Sequence, residues 1–316
     1  MVFELENKNT TPVVNEKLKM RNEKLKQTSS IKKLLSDFSE LVMFKHSVFS
    51  LPFIFIAMIV ASYLESGSGW FGWRLLFLGG LAAVTARNFA MGVNRYLDRD
   101  IDVLNPRTKS RPSVDGRVSN AQMLTFIVVN ALLFIIVAYF VNTLAFQLSV
   151  PILAVLGAYT LFKRFSSLAH LILGVSLGLA PIAGVVAVLG DVTLWSLYLA
   201  IGVMFWVAGF DLLYSLQDIA FDKAHKLHSI PSKYGAKKTM HIARAFHVLS
   251  VFFWALFVCE ANLGLWAILA VLFSAIMLSY EHYIVNKDFN KIDKAFFTVN
   301  GYLGFVFIVL IILEVW

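Results

Sequence analysis

Residues 75–102 read LLFLGGLAAVTARNFAMGVNRYLDRDID. The first part, 75–97, is long and apolar enough to cross a bilayer, which takes about 20 residues as a helix. It then runs into Asn94-Arg-Tyr-Leu-Asp98-Arg-Asp-Ile-Asp102. Asp98 and Asp102 stand i,i+4, so a helix puts both on one face, and such like-charged pairs weaken a helix by a few tenths of a kcal/mol. The larger penalty comes from the hydrocarbon. An Asp at the centre of a spanning helix costs about 2.5–3.5 kcal/mol even on insertion scales. A chain that places these acids at the mouth of a membrane helix needs something to offset their charge, and divalent cations are the obvious candidates.

Reading outward, eight further apolar runs lie near 47–64, 121–141, 147–162, 167–189, 192–213, 243–260, 263–281 and 295–313. The 316 residues are 58% hydrophobic and 15% charged, against about 45–50% and about 25% for soluble domains. The expected fold is all-α: a polytopic membrane protein with nine transmembrane helices. Residues 1–30 read as a polar flexible tail and 31–316 as one transmembrane domain. The tail nearly repeats itself, Asn15-Glu-Lys-Leu-Lys and Asn22-Glu-Lys-Leu-Lys. Ile31, Leu34, Leu35, Phe38, Leu41 and Val42 recur at helical spacing and suggest an interfacial helix leading into the first span.

The formal charge of +8 does not point to nucleic acid, because of where it sits. Every Lys and Arg except Arg74 and Arg87 falls in the N-terminal tail or near the even-numbered connections between spans. That is a positive-inside pattern. It predicts a cytoplasmic N-terminus in the cell's inner membrane. Cys259 is the only cysteine, which rules out an intrachain disulfide and a thiolate metal site. The first 45 residues are polar and carry no cleavable signal, so the first span is expected to direct insertion.

A second acidic segment closes the sixth run: Asp211-Leu-Leu-Tyr214-Ser-Leu-Gln217-Asp218-Ile-Ala-Phe-Asp222. Asp218 and Asp222 repeat the i,i+4 spacing, with Asp211 seven residues earlier. Asn94 and Arg87 share the face of Asp98, while Asp100 falls off it and reads as solvated. By the topology both acidic ends face the same side and one shared cavity. Carboxylate and amide oxygens are hard ligands that suit magnesium, which takes one or two carboxylates plus substrate phosphates. Asn94, Asp98, Asp102, Asp218 and Asp222 are therefore the candidate metal residues. Arg107, Lys109 and Arg111, with Lys163 and Arg164, would complete a diphosphate site.

These segments resemble those of the UbiA superfamily of intramembrane aromatic prenyltransferases. Asn94, Asp98 and Asp102 match the first family motif, with Arg95 replacing its usual second residue. Asp211, Tyr214, Asp218 and Asp222 match the second. The likeness runs from about Lys45 to the C-terminus, takes in Lys163-Arg164, His170, Pro181 and Phe296–Asn300, and is strongest to bacterial 4-hydroxybenzoate-type enzymes, including those of the futalosine route to menaquinone. It implies nine helices around a central cavity, magnesium as cofactor, a polyprenyl diphosphate donor and an aromatic acid acceptor, with no protein partner. It implies ionisation of the allylic C–O bond and attack by the aromatic ring, with Asp98, Asp102, Asp218, Asp222 and Arg164 as the catalytic set. Asn94, Arg87, Lys45, Lys109, Arg111, Lys163, Asp211, Tyr214 and Gln217 are the expected substrate contacts, and segments 103–119 and 223–240 the caps over the cavity. His170 reads as a core histidine. Other acceptors within the superfamily are the nearest alternative. A cation-coupled transporter is a more distant one, since the acids gather at one side and no inverted repeat is visible.

Overall fold

The structure, a computed structural model, describes residues 32–34, 36–42 and 51–316. The N-terminal tail, Lys45 and the residues immediately before Leu51 lie outside it. The long helices are α1 (Leu51–Ser66), α2 (Trp73–Leu97), α3 (Asn120–Val141), α4 (Thr143–Ala158), α5 (Ala169–Leu189), α6 (Leu194–Tyr214), α7 (Ile230–Glu260), α8 (Leu265–Lys287) and α9 (Asn300–Val315). With the short turns that extend them, α2 to α9 are long and apolar enough to cross a membrane. Helix α1 is apolar over its 16 described residues. Among the described residues there is no strand.

Each helix packs against the next in the chain, and α9 returns to α1, so the helices close a ring. Helix α1 also packs along α5 inside that ring, which explains why it is buried from Phe53 through Ser62 at nearly every position. The tightest contacts use small residues, as expected where helices have no water to exclude and close approach supplies the attraction. A Cβ on Gly174 or Gly178 of α5 would collide with the carbonyl oxygens of Met204 and Ala200 in α6. One on Gly184 would meet Ile54 O of α1 in the same way.

A buried polar network ties α6 to α9. Trp206 Nε1 donates to Asn300 Oδ1 (2.7 Å), Asn300 Nδ2 donates to Glu281 Oε1 (2.9 Å), and His282 Nε2 lies 3.0 Å from His247 Nδ1. Around it Phe53, Trp206, Trp254 and Phe307 pack ring on ring. At the end of the bundle away from the basic connections, Trp70, Trp73, Trp266 and Trp316 are exposed, an aromatic belt of the kind found where a membrane meets water.

Two boundaries differ from the hydropathy reading. Helix α7 begins at Ile230, well before the apolar run at 243, and α8 continues past 281 to Lys287. Apolar runs mark only the part of a helix inside hydrocarbon. Beyond it, local signals decide: Ser229 forms a capping box with Ser232 at the start of α7, which satisfies backbone donors there. The chain breaks helical geometry at Gly235 (φ 77°), a left-handed conformation that favours glycine. The helical turn at 36–41 lies against α3, with Leu41 buried on Val118 and Met123 and Phe38 stacked on Phe126. Arg117 pins it by donating to Asp37 and, with two bonds, to Glu40. Those bonds hold the Glu40 carboxyl below its ordinary range.

Candidate active site

Helix α2 ends at Leu97 because Asp98 leaves helical geometry (φ −90°, ψ 6°), and the chain re-enters a turn over Arg99–Asp102. Helix α6 does the same. It tightens over Ser215–Asp218, breaks at Asp218 (φ −100°, ψ 4°) and resumes over Ile219–Ala224. Both leading aspartates thus occupy the sparsely allowed bridge region, where many active-site residues sit. The expected unbroken helix face is corrected: each acidic pair straddles a break. The i,i+4 link survives, since Asp102 N donates to Asp98 O at 2.8 Å.

The two broken turns border one cavity of about 470 Å³. Asn94, Asp98, Asp102, Lys163, Asp218 and Asp222 line it, together with Arg87, His170, Asp211 and Tyr214. Asp98 and Asp102 are almost wholly buried, at 2% and 4% exposure. Asp98 Oδ2 accepts from Lys163 Nζ (2.5 Å) and Asn94 Nδ2 (2.9 Å). Asp102 takes two bonds of 2.7 Å from Arg111 Nη1. Asp218 is gripped by Arg107 through Nη2 (2.6 Å) and Nε (3.2 Å), and Asn105 adds a third donor. Asp222 Oδ2 accepts from Ser229 Oγ at 2.7 Å. Both predicted caps contribute, since Asn105, Arg107 and Arg111 come from 103–119 and Leu227, His228 and Ser229 from 223–240. His228 N also bonds Lys163 O, which joins the second cap to the basic turn after α4.

The donor set fits magnesium. Asp98 Oδ1 is buried in the wall without a hydrogen-bond partner, Arg164 Nη2 lying 4.0 Å away. Burial pushes the Asp98 carboxyl above its ordinary range, with Lys163 opposing, and a cation at Oδ1 would relieve that penalty. Among the described residues no three acidic, histidine or cysteine side chains form a closed ligand cage. Magnesium does not require one, because it usually combines one or two carboxylates with phosphate oxygens and water. Asp98 and Asp102 on one side, and Asp218 and Asp222 on the other, are the residues that would hold it.

Some expected contacts stand elsewhere. Arg164 does not line the cavity; it forms a two-bond pair with Asp100 (2.7 and 2.9 Å), donates to Leu97 O, and keeps a longer ion pair with Asp98, Nη2 lying 4.0 Å from Oδ1. Asp100 is exposed, as its position off the shared face implied, but paired, and Arg164 holds its carboxyl below the ordinary range. Lys109 is exposed and outside the lining. Gln217 is exposed and donates to Asp293 (3.3 Å). Lys45 lies outside the described residues. Arg95 is buried, donating to Leu41 O and to Asn94 Oδ1, so the departure from the motif orients Asn94. The residue the sequence reading undervalued is Arg107, which also donates to Tyr214 (3.0 Å). Its signal was present: Arg107 and Arg111 are four apart in a turning segment, and Lys109 between them points elsewhere.

Comparison with known proteins agrees with this geometry. Residues 51–311 match the UbiA prenyltransferase family. The 4-hydroxybenzoate octaprenyltransferase of Paracidovorax citrulli is 30% identical over 247 residues, 78% of this chain and 82% of that protein. The apo structure of a UbiA homolog from Aeropyrum pernix K1 is 31% identical, covers 85% of this chain and 98% of its own, and superposes with a TM-score of 0.76. A UbiA homolog from Archaeoglobus fulgidus bound to GPP and Mg2+ shares the fold at 17% identity, covering 87% of this chain and 99% of its own, with a TM-score of 0.69. The chain is an integral membrane prenyltransferase and belongs to the UbiA prenyltransferase family.

Proposed function

We propose that the chain transfers a polyprenyl group from polyprenyl diphosphate to an aromatic acid, 4-hydroxybenzoate or a related naphthoate, as a step in quinone biosynthesis. The observation that carries this reading is the pairing of two broken acidic turns across one cavity that also holds Arg87 more deeply. Arg87 is eleven residues before Asp98 on α2, about 16 Å further along the helix at 1.5 Å per residue. A diphosphate at the turns and a carboxylate at Arg87 leave room between them for the reacting carbons. The relative named as a 4-hydroxybenzoate octaprenyltransferase and the neighbour holding GPP and Mg2+ support the same assignment.

Bound magnesium would neutralise the leaving diphosphate. The rest falls to the side chains. Asp98, Asp102, Asp218 and Asp222 anchor the donor at the mouth. Lys163, Arg107 and Arg111 are positioned to exchange their carboxylate partners for phosphate oxygens as charge develops there. Ile54, Phe134, Leu173 and Leu177 line the cavity and would keep water from the allylic cation. The positive-inside pattern supports a mouth that faces the cytoplasm in the inner membrane.

The direct test incubates purified protein with geranyl diphosphate, magnesium and a panel of aromatic acids, followed by mass spectrometry. A prenylated 4-hydroxybenzoate or naphthoate is expected. Donor consumption without prenylation of any acid in the panel would overturn the acceptor class. Within that assay, Lys163→Ala is expected to lower turnover by about 100-fold. Arg164→Ala is expected to cost less than about 10-fold, because its guanidinium hydrogen-bonds the exposed Asp100 and its contact with Asp98 is a long one of 4.0 Å. A larger loss in Arg164→Ala than in Lys163→Ala would return Arg164 to the reacting groups.

A further inference from the structure

His170 is the second residue of α5 and lines the cavity. It is 6% exposed. Its Nδ1 lies 2.7 Å from Asp211 Oδ2, and its Nε2 is buried with no hydrogen-bond partner. A carboxylate beside Nδ1 fixes the proton there and leaves Nε2 with a free lone pair. The core histidines His247 and His282 also leave one ring nitrogen unpartnered; what sets His170 apart is that it lines the cavity and has a carboxylate at hydrogen-bond distance. An imidazole oriented by a carboxylate, with its second nitrogen unspent, is the arrangement of a general base.

The position is fixed and suits the chemistry. One turn after His170, Gly174 brings α5 against Met204 O of α6, and Asp211 follows on α6 about 10 Å further along. Asp211 lies seven residues before Asp218, again about 10 Å into the helix. The pair therefore stands deeper than the acidic turns, toward the level of Arg87. Given the aromatic acceptor proposed above, on which this inference rests, the ring lies at that depth.

We propose that His170, oriented by Asp211, is the base that removes the ring proton after prenyl transfer. The ring's π electrons form the new C–C bond to the allylic cation, leaving that ring carbon with both its hydrogen and the prenyl group. His170 Nε2 accepts the proton, and the C–H electron pair restores aromaticity. The resulting imidazolium is stabilised by Asp211 and returns its proton to water when product leaves. Diphosphate departs separately, so no other reactant is needed.

The test uses purified full-length enzyme with magnesium, geranyl diphosphate carrying 18O at the bridging position, and 4-hydroxybenzoate deuterated beside its hydroxyl. Two rates are measured: scrambling of the 18O, which reports ionisation, and formation of prenylated acid. Wild type is expected to show no deuterium isotope effect, because proton loss follows the slow ionisation. In His170→Gln, transfer is expected to fall about 100-fold and show a primary deuterium isotope effect, while scrambling continues. Asp211→Asn is expected to show the same isotope effect with a smaller loss. Continued scrambling shows that each variant is folded and binds donor. Wild-type-like transfer in His170→Gln overturns the inference, as does parallel loss of scrambling and transfer in both variants without an isotope effect. Wild-type enzyme that scrambles the label yet leaves the acid unprenylated instead overturns the acceptor reading and the inference with it.

Discussion

Asp218→Ala is expected to abolish magnesium-dependent prenyl transfer, lowering turnover by about 1,000-fold or more, while the protein remains folded. The loss is large because Asp218 is where the two halves of the site meet. Its carboxylate holds Arg107 and Asn105 from the connection after α2, although Asp218 itself follows α6. Removing it takes away an anchor for the cation and releases Arg107 from its position near the donor. Folding should survive, since the Arg107 side chain is 35% exposed and can return to water. Asp98→Ala should behave alike, because Lys163 is also part-exposed at 31%. Turnover within about 10-fold of wild type in either variant would contradict the assignment.

Arg87→Ala is expected to raise the acceptor KM by about 100-fold, the usual scale for removing one partner of a buried charge contact. Affinity for geranyl diphosphate should not change. The split follows from depth: Asp98 and Asp102 sit at the mouth, past the end of α2, and Arg87 lies well inside on that helix. Measuring acceptor KM by initial rates and donor affinity by calorimetry separates the two. A drop in donor affinity with unchanged acceptor KM would instead make Arg87 a diphosphate contact.

The helices and acidic turns were legible because hydrophobic runs and i,i+4 spacing are strong local signals. Arg87 and Asp211 were legible for the same reason, being placed by helical periodicity from the motifs. What failed were side chains whose direction depends on nonlocal partners. Lys163 and Arg164 are adjacent and alike in charge, yet Lys163 hydrogen-bonds Asp98 while Arg164 hydrogen-bonds Asp100 and comes only within 4.0 Å of Asp98. Only the tight turn Tyr159–Arg164 after α4 decides which. Lys109 and Arg107 pose the same problem in an irregular segment, where no period assigns a face. The breaks at Asp98 and Asp218 were hidden as well, because neither stretch contains a proline or glycine to announce them. In the sequence His170 reads as a packing residue, and only the fold sets Asp211, 41 positions away, beside it.

The central claim is that both acidic turns hold one magnesium-bound diphosphate. The most direct measurement is calorimetric binding of geranyl diphosphate to purified protein, with and without magnesium, for wild type, Asp98→Asn, Asp218→Asn and the double variant. Binding should require magnesium in wild type and be lost in either single variant, with the double variant no weaker than the worse single one. Magnesium-independent binding, or full affinity after substitution in one turn, would contradict a shared site.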